Sequence, residues 1–246
     1  MSSSNRALSF GQIAGEYDRI RPTYPPAAIE WALGNEPCRV VDLGAGTGIL
    51  TRQLHELGHD IVAVEPDAEM RGLLESTSPG LRTLHGSGES IPVPDESVDA
   101  VLAGQAYHWF RTEEAHTEIA RVLRPRGVFA PMWNLRDESA RWVAEFTAAA
   151  ELSQDGSNDV VRLVDSFGPL FDTPERSQFS HSVTMTPESL LALIRSRSYY
   201  LVSPPERQAE LDAAVRTFAA EHPDLAGLEQ FELPYVAYVF RARLRS

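Results

Sequence analysis

The stretch VVDLGAGTGILT, residues 40–51, places three glycines within five positions directly behind a short apolar run that contains one carboxylate. Val40 to Leu43 have the character of a buried β-strand, and the glycines favour a tight turn at its carboxyl end. Thr47 is predicted to start the following helix. Ligands of open α/β sheets bind at such turns, which expose backbone N–H groups and a helix N-terminus. The stretch therefore predicts a turn that makes room for a nucleoside-like cofactor.

Apolar segments alternate with amphipathic segments from residue 39 to residue 134. The apolar segments that predict strands are RVVDL, DIVAVE, LRTLH, SVDAVLAG and VFAPMWN. Three helices are predicted between them. The first has Leu50, Leu54 and Leu57 on one face and ends at Gly58. The second is capped by Asp67 and runs to about Glu75, and the third is capped by Thr112 and ends at the turn RPRG. This alternation predicts a doubly wound, mainly parallel sheet.

The pattern becomes more helical after Asn134. The predicted elements are helices around Trp142 to Leu152 and Val160 to Phe167, a strand near Phe179 to Met185, and helices at Pro187 to Arg195 and Pro204 to His222. FELPYVAYVFRARL predicts a terminal strand, and Pro234 within it favours an edge or bulge position. We expect one domain over residues 1–246, with a cofactor-binding core at about 8–135, a helical elaboration on the substrate side at about 136–230, and a terminal strand at 231–244.

Composition excludes several classes of protein. The 35 acidic residues against 22 Lys and Arg give a formal charge of −13, which repels nucleic acids and anionic membranes. Cys38 is the single cysteine, so no intrachain disulfide forms, and a reducing cytoplasmic location fits best. We expect no membrane span, because no segment approaches the ~20 apolar residues that one needs. The histidines show no ligand spacing, so we expect no metal site.

Two cofactor classes compete for the glycine-rich turn. Both the dinucleotide and the adenosylmethionine versions of such a sheet place an acid at the end of the next strand, and Glu65 closes IVAVE. The dinucleotide pattern G-x-G-x-x-G requires a small residue at position 49, which is Ile49. Because the third glycine, Gly48, falls one position early, the spacing disfavours a nicotinamide-dependent oxidoreductase.

The motif DLGAGTG with Glu65 downstream resembles the cofactor site of class I S-adenosylmethionine-dependent methyltransferases, in particular the small-molecule, methyltransferase type 11-like family. Residues 10–25 are similar to the N-terminal segment over the cofactor, residues 86–110 to the adenine loop and fourth strand, and residues 123–134 to the unit that leads into the fifth strand. The resemblance implies a seven-stranded Rossmann-like sheet with an antiparallel terminal strand and a helical cap.

The resemblance also implies which residues bind S-adenosylmethionine. They are Tyr17, Arg21, Asp42, Gly44, Ala45, Gly46, Gly48, Glu65, Pro66, Asp67, Ser87, Gly88, Glu89 and Gln105. Asp42 and the backbone near Gly44 and Gly46 are expected to orient the methionine amino group. Glu65 is expected to accept both ribose hydroxyls, since a carboxylate takes two donors at once.

Some of these implied roles leave alternatives open. The family usually has Asp where this chain has Ser87, so either Glu89 or the backbone alone reads the adenine amino group. Tyr17 and Arg21 match residues that close over the cofactor, with Arg21 a carboxylate partner, although Tyr17 also fits ordinary helix packing. Gln105 matches a position that faces the methionine part of the cofactor.

The segment QAYHWF follows the fourth predicted strand, where this fold places residues of the acceptor side. His108 is a candidate general base, with a hydrogen-bonded wall residue as the alternative. Tyr107, Trp109 and Phe110 are candidate substrate contacts, whereas Trp133 and Trp142 are interpreted as core residues.

The resemblance implies in-line transfer of a methyl group from S-adenosylmethionine to a small-molecule acceptor, leaving S-adenosyl-L-homocysteine. The HWF element resembles a branch that includes trans-aconitate methyltransferases, so a small carboxylic acid is one candidate acceptor and a secondary metabolite another. Arg195 and Arg197 are the suggested anion partners. The alternative function is a cofactor-binding regulatory or partner protein without transfer activity.

Overall fold

A computed structural model describes residues 21–150 and 164–245 of the chain. Tyr17 and most of the helix predicted at Val160 to Phe167 lie outside the described residues. The strands are β1 (Arg39–Leu43), β2 (Asp60–Val64), β3 (Arg82–Leu84), β4 (Val98–Gly104), β5 (Leu123–Arg136), β6 (Glu175–Met185) and β7 (Phe231–Arg243). The helices are α1 (Pro26–Leu33), α2 (Ile49–Glu56), α3 (Ala68–Thr77), α4 (Thr112–Val122), α5 (Arg141–Ala149), α6 (Pro187–Arg195), α7 (Ser198–Leu201) and α8 (Pro205–Glu221).

The strands form one sheet in the order β3-β2-β1-β4-β5-β7-β6. The pairs from β3 to β5 are parallel, and β7 is antiparallel to both of its neighbours. The strand order reverses between β1 and β4, and in doubly wound sheets the ligand crevice lies at the carboxyl ends of the strands on either side of such a reversal. The predicted Rossmann-like sheet with its antiparallel strand is confirmed.

The helices cover the sheet because each has an apolar face. Ala28, Ile29 and Ala32 of α1 are buried in the same cluster as Leu50 and Leu54 of α2, against the middle of the sheet. A separate apolar cluster joins α5, α6 and α8 to the beginning of β7. This second cluster is the predicted helical cap, and it stands over the end of the sheet where β5 and β7 meet.

The position of β7 corrects one expectation. Pro234 was expected to favour an edge or a bulge, yet β7 is interior and β6 forms the edge. The N–H of Asp137 donates to the carbonyl of Pro234 at 2.9 Å, so the peptide groups of Pro234 face the β5 side. Because β5 ends at Arg136, the missing N–H of Pro234 costs no ladder hydrogen bond there.

Three further local expectations need correction. Thr112 is the first residue of α4 rather than its cap, which is Arg111. The turn RPRG lies within the bounds of β5, at a shift of register in which Val98 pairs with Leu123 and Ala100 with Val128. Residues 164–167, the described end of the helix predicted there, are not helical.

Among the described helices, none is long and apolar enough to cross a membrane.

Candidate functional site

The glycine turn, residues 44–48, joins β1 to α2 and is fastened to the end of β2. The N–H groups of Gly44 and Ala45 both donate to the carbonyl of Val64, at 2.8 and 3.1 Å. Gly44, Gly46 and Gly48 have φ values of +74°, +57° and +89°, in the left-handed region that side chains disfavour. The backbone conformation therefore favours glycine at all three positions.

The surroundings of these three glycines differ. A Cβ on Gly44 would lie 2.5 Å from Cβ of Ala106, and a Cβ on Gly48 would lie 2.8 Å from Cγ of Leu74. A Cβ on Gly46 would have no heavy atom within 4 Å. Close approach at Gly44 and Gly48 thus comes from the protein itself, and only Gly46 borders open space that a ligand could enter. The cofactor-contact roles of Gly44, Ala45 and Gly48 stay predictions.

The side chain of Glu65 contacts the glycine turn, although Glu65 itself follows the next strand, β2. Its carboxylate is buried and accepts the N–H of Gly46 at 2.8 Å through Oε2 and the N–H of Asp67 at 2.9 Å through Oε1. Each carboxylate oxygen can accept more than one hydrogen bond, so both retain capacity for a ribose hydroxyl. The side chain of Asp67 is itself engaged, because it caps α3 by accepting the N–H groups of Glu69 and Met70.

Asp42 is buried in β1, one residue before the end of the strand. The hydroxyl of Thr51 donates to its Oδ2 at 2.5 Å, which supplies the partner that a buried carboxylate needs. Burial, together with the nearby charge of Glu65, raises the pKa of Asp42 to about 7, while the bond from Thr51 opposes that rise. Asp42 is therefore poised to change charge near neutral pH, and a neighbouring ammonium group would favour its ionised form.

The predicted adenine loop closes one side of the crevice. Ser87 and Ser90 form an isolated antiparallel bridge around Gly88. Glu89 accepts the N–H of Arg111 at 2.8 Å, and this bond, against the opposing effect of burial, lowers the pKa of Glu89. The carboxylate of Glu89 is thus held toward the start of α4. Whether Glu89 or the loop backbone alone reads the adenine amino group stays a prediction.

Phe110 lies on the cofactor side of the crevice rather than beside Trp109. A Cβ on Gly88 would lie 2.9 Å from Cγ of Phe110, and a Cβ on Gly44 would lie 4.0 Å from its Cε1. The ring therefore packs between the adenine loop and the glycine turn. This position favours a wall of the crevice beside the glycine turn, and the predicted role of Phe110 as a substrate contact stays a prediction.

The remainder of the QAYHWF segment divides between core and surface. Tyr107 is buried and its hydroxyl is 2.9 Å from Nε2 of His116, which favours a core role over the predicted substrate contact. Trp109 is 79 % exposed. His108 is exposed, and its Nδ1 accepts the indole N–H of Trp133 at 3.4 Å. Trp133 is buried in the core, as predicted.

Gln105 connects the cofactor side to the far strands of the sheet. It has a positive φ of +56°, and its side-chain amide donates to the carbonyl of Asn134 at 2.8 Å. The side chain of Asn134 in turn donates to the carbonyls of Pro22 and Thr23, and its Oδ1 is 2.9 Å from Nε2 of His181. The chain just after Arg21 is thereby held against the sheet.

Asn134, Arg136, His181 and Tyr235 are site candidates that sequence reasoning missed. They come from three strands and carry no common motif, and only the antiparallel register of β5, β6 and β7 brings them to one face. The signal that could have been used was the presence of polar residues at the end of an apolar strand. Of the two suggested anion partners, Arg195 is paired with Asp212, and Arg197 lies near enough to Tyr235 for its charge to act on that hydroxyl.

Among the described residues, no three His, Cys, Asp or Glu side chains are grouped so that they could hold a metal ion. The groups that line the crevice suit an adenosyl group. Gly46 offers bare backbone and Glu65 a carboxylate beside it, and Asp42 of β1 is near enough for the charge of Glu65 to act on it. The fold and this crevice define an α/β protein of the Rossmann-like methyltransferase class.

Comparison with known proteins agrees with that class. Residues 41–130 match the family model described as a methyltransferase domain. An uncharacterized methyltransferase of Mycobacterium tuberculosis is 43% identical over 243 residues, covering 99% of this chain and 98% of the relative. An uncharacterized methyltransferase of Schizosaccharomyces pombe is 35% identical over 235 residues, covering 91% and 92%. The chain therefore belongs to the same methyltransferase family as these relatives.

A solved structure named for a type II methyltransferase of Anaeromyxobacter dehalogenans has the same fold. Its TM-score is 0.65 at 20% sequence identity, and the match covers 92% of this chain and 97% of that chain. At that identity the likeness supports the architecture alone.

Proposed function

We propose that this methyltransferase uses S-adenosylmethionine and transfers its methyl group to a small-molecule acceptor. The observation that carries the proposal is the buried carboxylate of Glu65, which two backbone N–H groups hold beside the open face of Gly46. A fixed carboxylate next to bare backbone suits a ribose diol, because each oxygen accepts one hydroxyl without reorganisation.

When bound, the cofactor supplies an electrophilic methyl carbon on a sulfonium; the acceptor's lone pair forms the new bond while the C–S electron pair goes to sulfur. The task of the chain is to align the two reactants and exclude water, which can supply on the order of 7 to 11 kcal/mol. Gln105 and Phe110 border the two sides of the space where this alignment would occur.

For His108 we propose the role of a hydrogen-bonded wall residue rather than that of a general base. Because Nδ1 of the ring accepts the indole N–H of Trp133, the neutral ring carries its proton on Nε2. A ring in this state has no ready lone pair with which to take a proton from the acceptor. An acceptor that is already ionised needs no base.

The proposal is tested by calorimetric titration with S-adenosylmethionine and, separately, with NADH. We expect saturable binding of the first and none of the second. The protein is then incubated with methyl-labelled S-adenosylmethionine and an extract of its source cell, and we expect one labelled small molecule by mass spectrometry. Binding without any labelled product would favour the regulatory alternative, and NADH binding alone would overturn the proposal.

A further inference from the structure

A buried tyrosine hydroxyl lies at the end of the sheet where the helical cap begins. Tyr235 is 2 % exposed, and its hydroxyl has no hydrogen-bond partner in the described part of the chain. The ring is fixed in place because it stacks on His181, with ring centroids 5.7 Å apart, and packs in the apolar cluster of the cap. A rigid, buried donor of this kind favours an acceptor atom supplied by a ligand.

Three arginines lie near enough to Tyr235 for their charges to act on its hydroxyl, and with Tyr235 they form what we term the arginine cluster. Arg136 is buried and is the strand partner of Tyr235. Arg21 donates to the carbonyl of Ser196 at 3.2 Å, which places it beside the backbone of Arg197. The positive charges of Arg136, Arg197 and Arg21 all act to lower the pKa of Tyr235, against the larger effect of burial, which raises it.

The arginine cluster is next to the cofactor crevice. Gln105 donates to the carbonyl of Asn134, and Arg136 follows two residues later on the same strand. Two residues of extended chain span ~7 Å. A small molecule with one end in the cluster therefore has its other end within reach of the Gln105 side of the crevice.

We propose that the arginine cluster binds a carboxylate of the methyl acceptor, which Arg21, Arg136, Arg197 and the hydroxyl of Tyr235 hold while a different atom of the acceptor is methylated. This inference rests on the proposed function, and it deepens it by naming the acceptor class. A guanidinium group only donates hydrogen bonds and a phenol hydroxyl can donate one, and the planar guanidinium fork matches the planar carboxylate. A singly charged group also suits a chain whose formal net charge is −13 better than a phosphate dianion does.

The bound carboxylate serves as an anchor rather than as the nucleophile. Oxygen atoms that accept several charge-assisted hydrogen bonds have their lone pairs engaged, which makes them poor nucleophiles. The span from Arg136 back toward Gln105 also leaves the methyl donor at the opposite end of the acceptor. The acceptor is therefore an acid with a second nucleophilic group a few bonds away, and the methylated product retains its anchoring carboxylate.

The cluster is tested by titrating the protein, saturated with S-adenosylhomocysteine, with succinate and glutarate and with their diamides. We expect the acids to bind and the diamides not to bind. Arg197→Gln should weaken binding of the acids at least tenfold, and Tyr235→Phe, which removes only the hydroxyl, about threefold to tenfold. Arg195→Gln is the matched control, because Arg195 is paired with Asp212, and it should leave acid binding unchanged.

Three results would overturn the inference: no binding of either acid to the wild-type protein, binding that survives both cluster variants, or binding of inorganic phosphate in place of the acids. The labelled product from the cell extract gives a second test, since it should bind an anion exchanger through a free carboxylate. If S-adenosylmethionine binds but the acids do not, this inference alone fails. If the acids bind but S-adenosylmethionine does not, the proposed function fails.

Discussion

The glycine turn and the arginine cluster both lie on the side of the sheet where the parallel strands end, but they are built in different ways. The turn is made from consecutive residues whose N–H groups are bonded within the protein, so it offers a ligand the open backbone face of Gly46 and the carboxylate of Glu65. The cluster draws Arg136, Arg197 and Tyr235 from distant parts of the chain and uses side chains alone. A cofactor shared by many enzymes can be recognised through backbone, whereas an acceptor particular to one enzyme requires side chains that vary.

If the glycine turn binds the cofactor as proposed, Glu65→Ala should have the largest effect. We expect cofactor affinity to fall by roughly 2 to 4 kcal/mol, because two charge-assisted hydrogen bonds are lost in a buried site. Calorimetric titration with S-adenosylmethionine measures the change. Glu69→Ala, an exposed acid in α3, is the matched control and should bind normally. Unchanged affinity in a folded Glu65→Ala protein would remove Glu65 from the cofactor site.

The glycines of the turn should separate stability from binding. Gly44→Ala should lower the free energy of unfolding by about 2 to 3 kcal/mol, since its Cβ meets Ala106 and its φ is positive. Gly46→Ala meets no protein atom, so we expect a loss of only about 1 kcal/mol in stability together with a clear loss of cofactor affinity. Urea unfolding and calorimetry of the two variants provide the comparison. Equal effects of the two substitutions on the free energy of unfolding and on cofactor affinity would contradict this expectation.

Asp42 gives the glycine turn a pH dependence. Its pKa of about 7 means that the carboxyl ionises as the pH rises through neutrality, so affinity for the cofactor's ammonium group should increase by up to about tenfold per unit from pH 5.5 to 7. Asp42→Asn should bind with a flat profile over this range, whereas Asp60→Asn, at the opposite edge, should keep the wild-type slope. A wild-type profile in Asp42→Asn would show that another group titrates.

The same pKa predicts the opposite trend for the unliganded protein. The native state holds the proton on Asp42 up to about pH 7, whereas the unfolded chain releases it near the ordinary value of 3.8. Between these values the native state binds more protons, so stability falls as the pH rises, by at most about 1.4 kcal/mol per unit from this group. Thermal unfolding of wild type against Asp42→Asn from pH 4 to 7 isolates this contribution.

His108→Ala should have the smallest effect. We expect normal cofactor affinity and a turnover reduced by no more than about tenfold, because the ring supports Trp133 and does not present a free lone pair. Single-turnover rates with the identified acceptor provide the measurement. A loss of about 100-fold or more, together with disappearance of a pH-dependent limb, would instead establish a general base.

The sequence alone determined the cofactor half of this protein. The alternation of strands and helices, the bounds of β1 and β2, and the pairing of the glycine motif with Glu65 all follow from local periodicity and spacing, because neighbours in a strand–turn–helix unit are also neighbours in the chain. The methyltransferase family followed from the same residues. Even there, periodicity could not show that Phe110 turns toward Gly88 or that Tyr107 is buried on His116.

Only the tertiary structure decided the part of the sheet formed by β5, β7 and β6. The interior place of β7, the local reason why Pro234 is tolerated, and the meeting of Arg136 with Tyr235 depend on long-range antiparallel register. No short-range pattern encodes which strands become neighbours, since that choice is made by how apolar faces pack. For this reason the sequence did not distinguish Arg195 from Arg197. In the fold, Arg195 is paired with Asp212, and the charge of Arg197 acts on the buried hydroxyl of Tyr235.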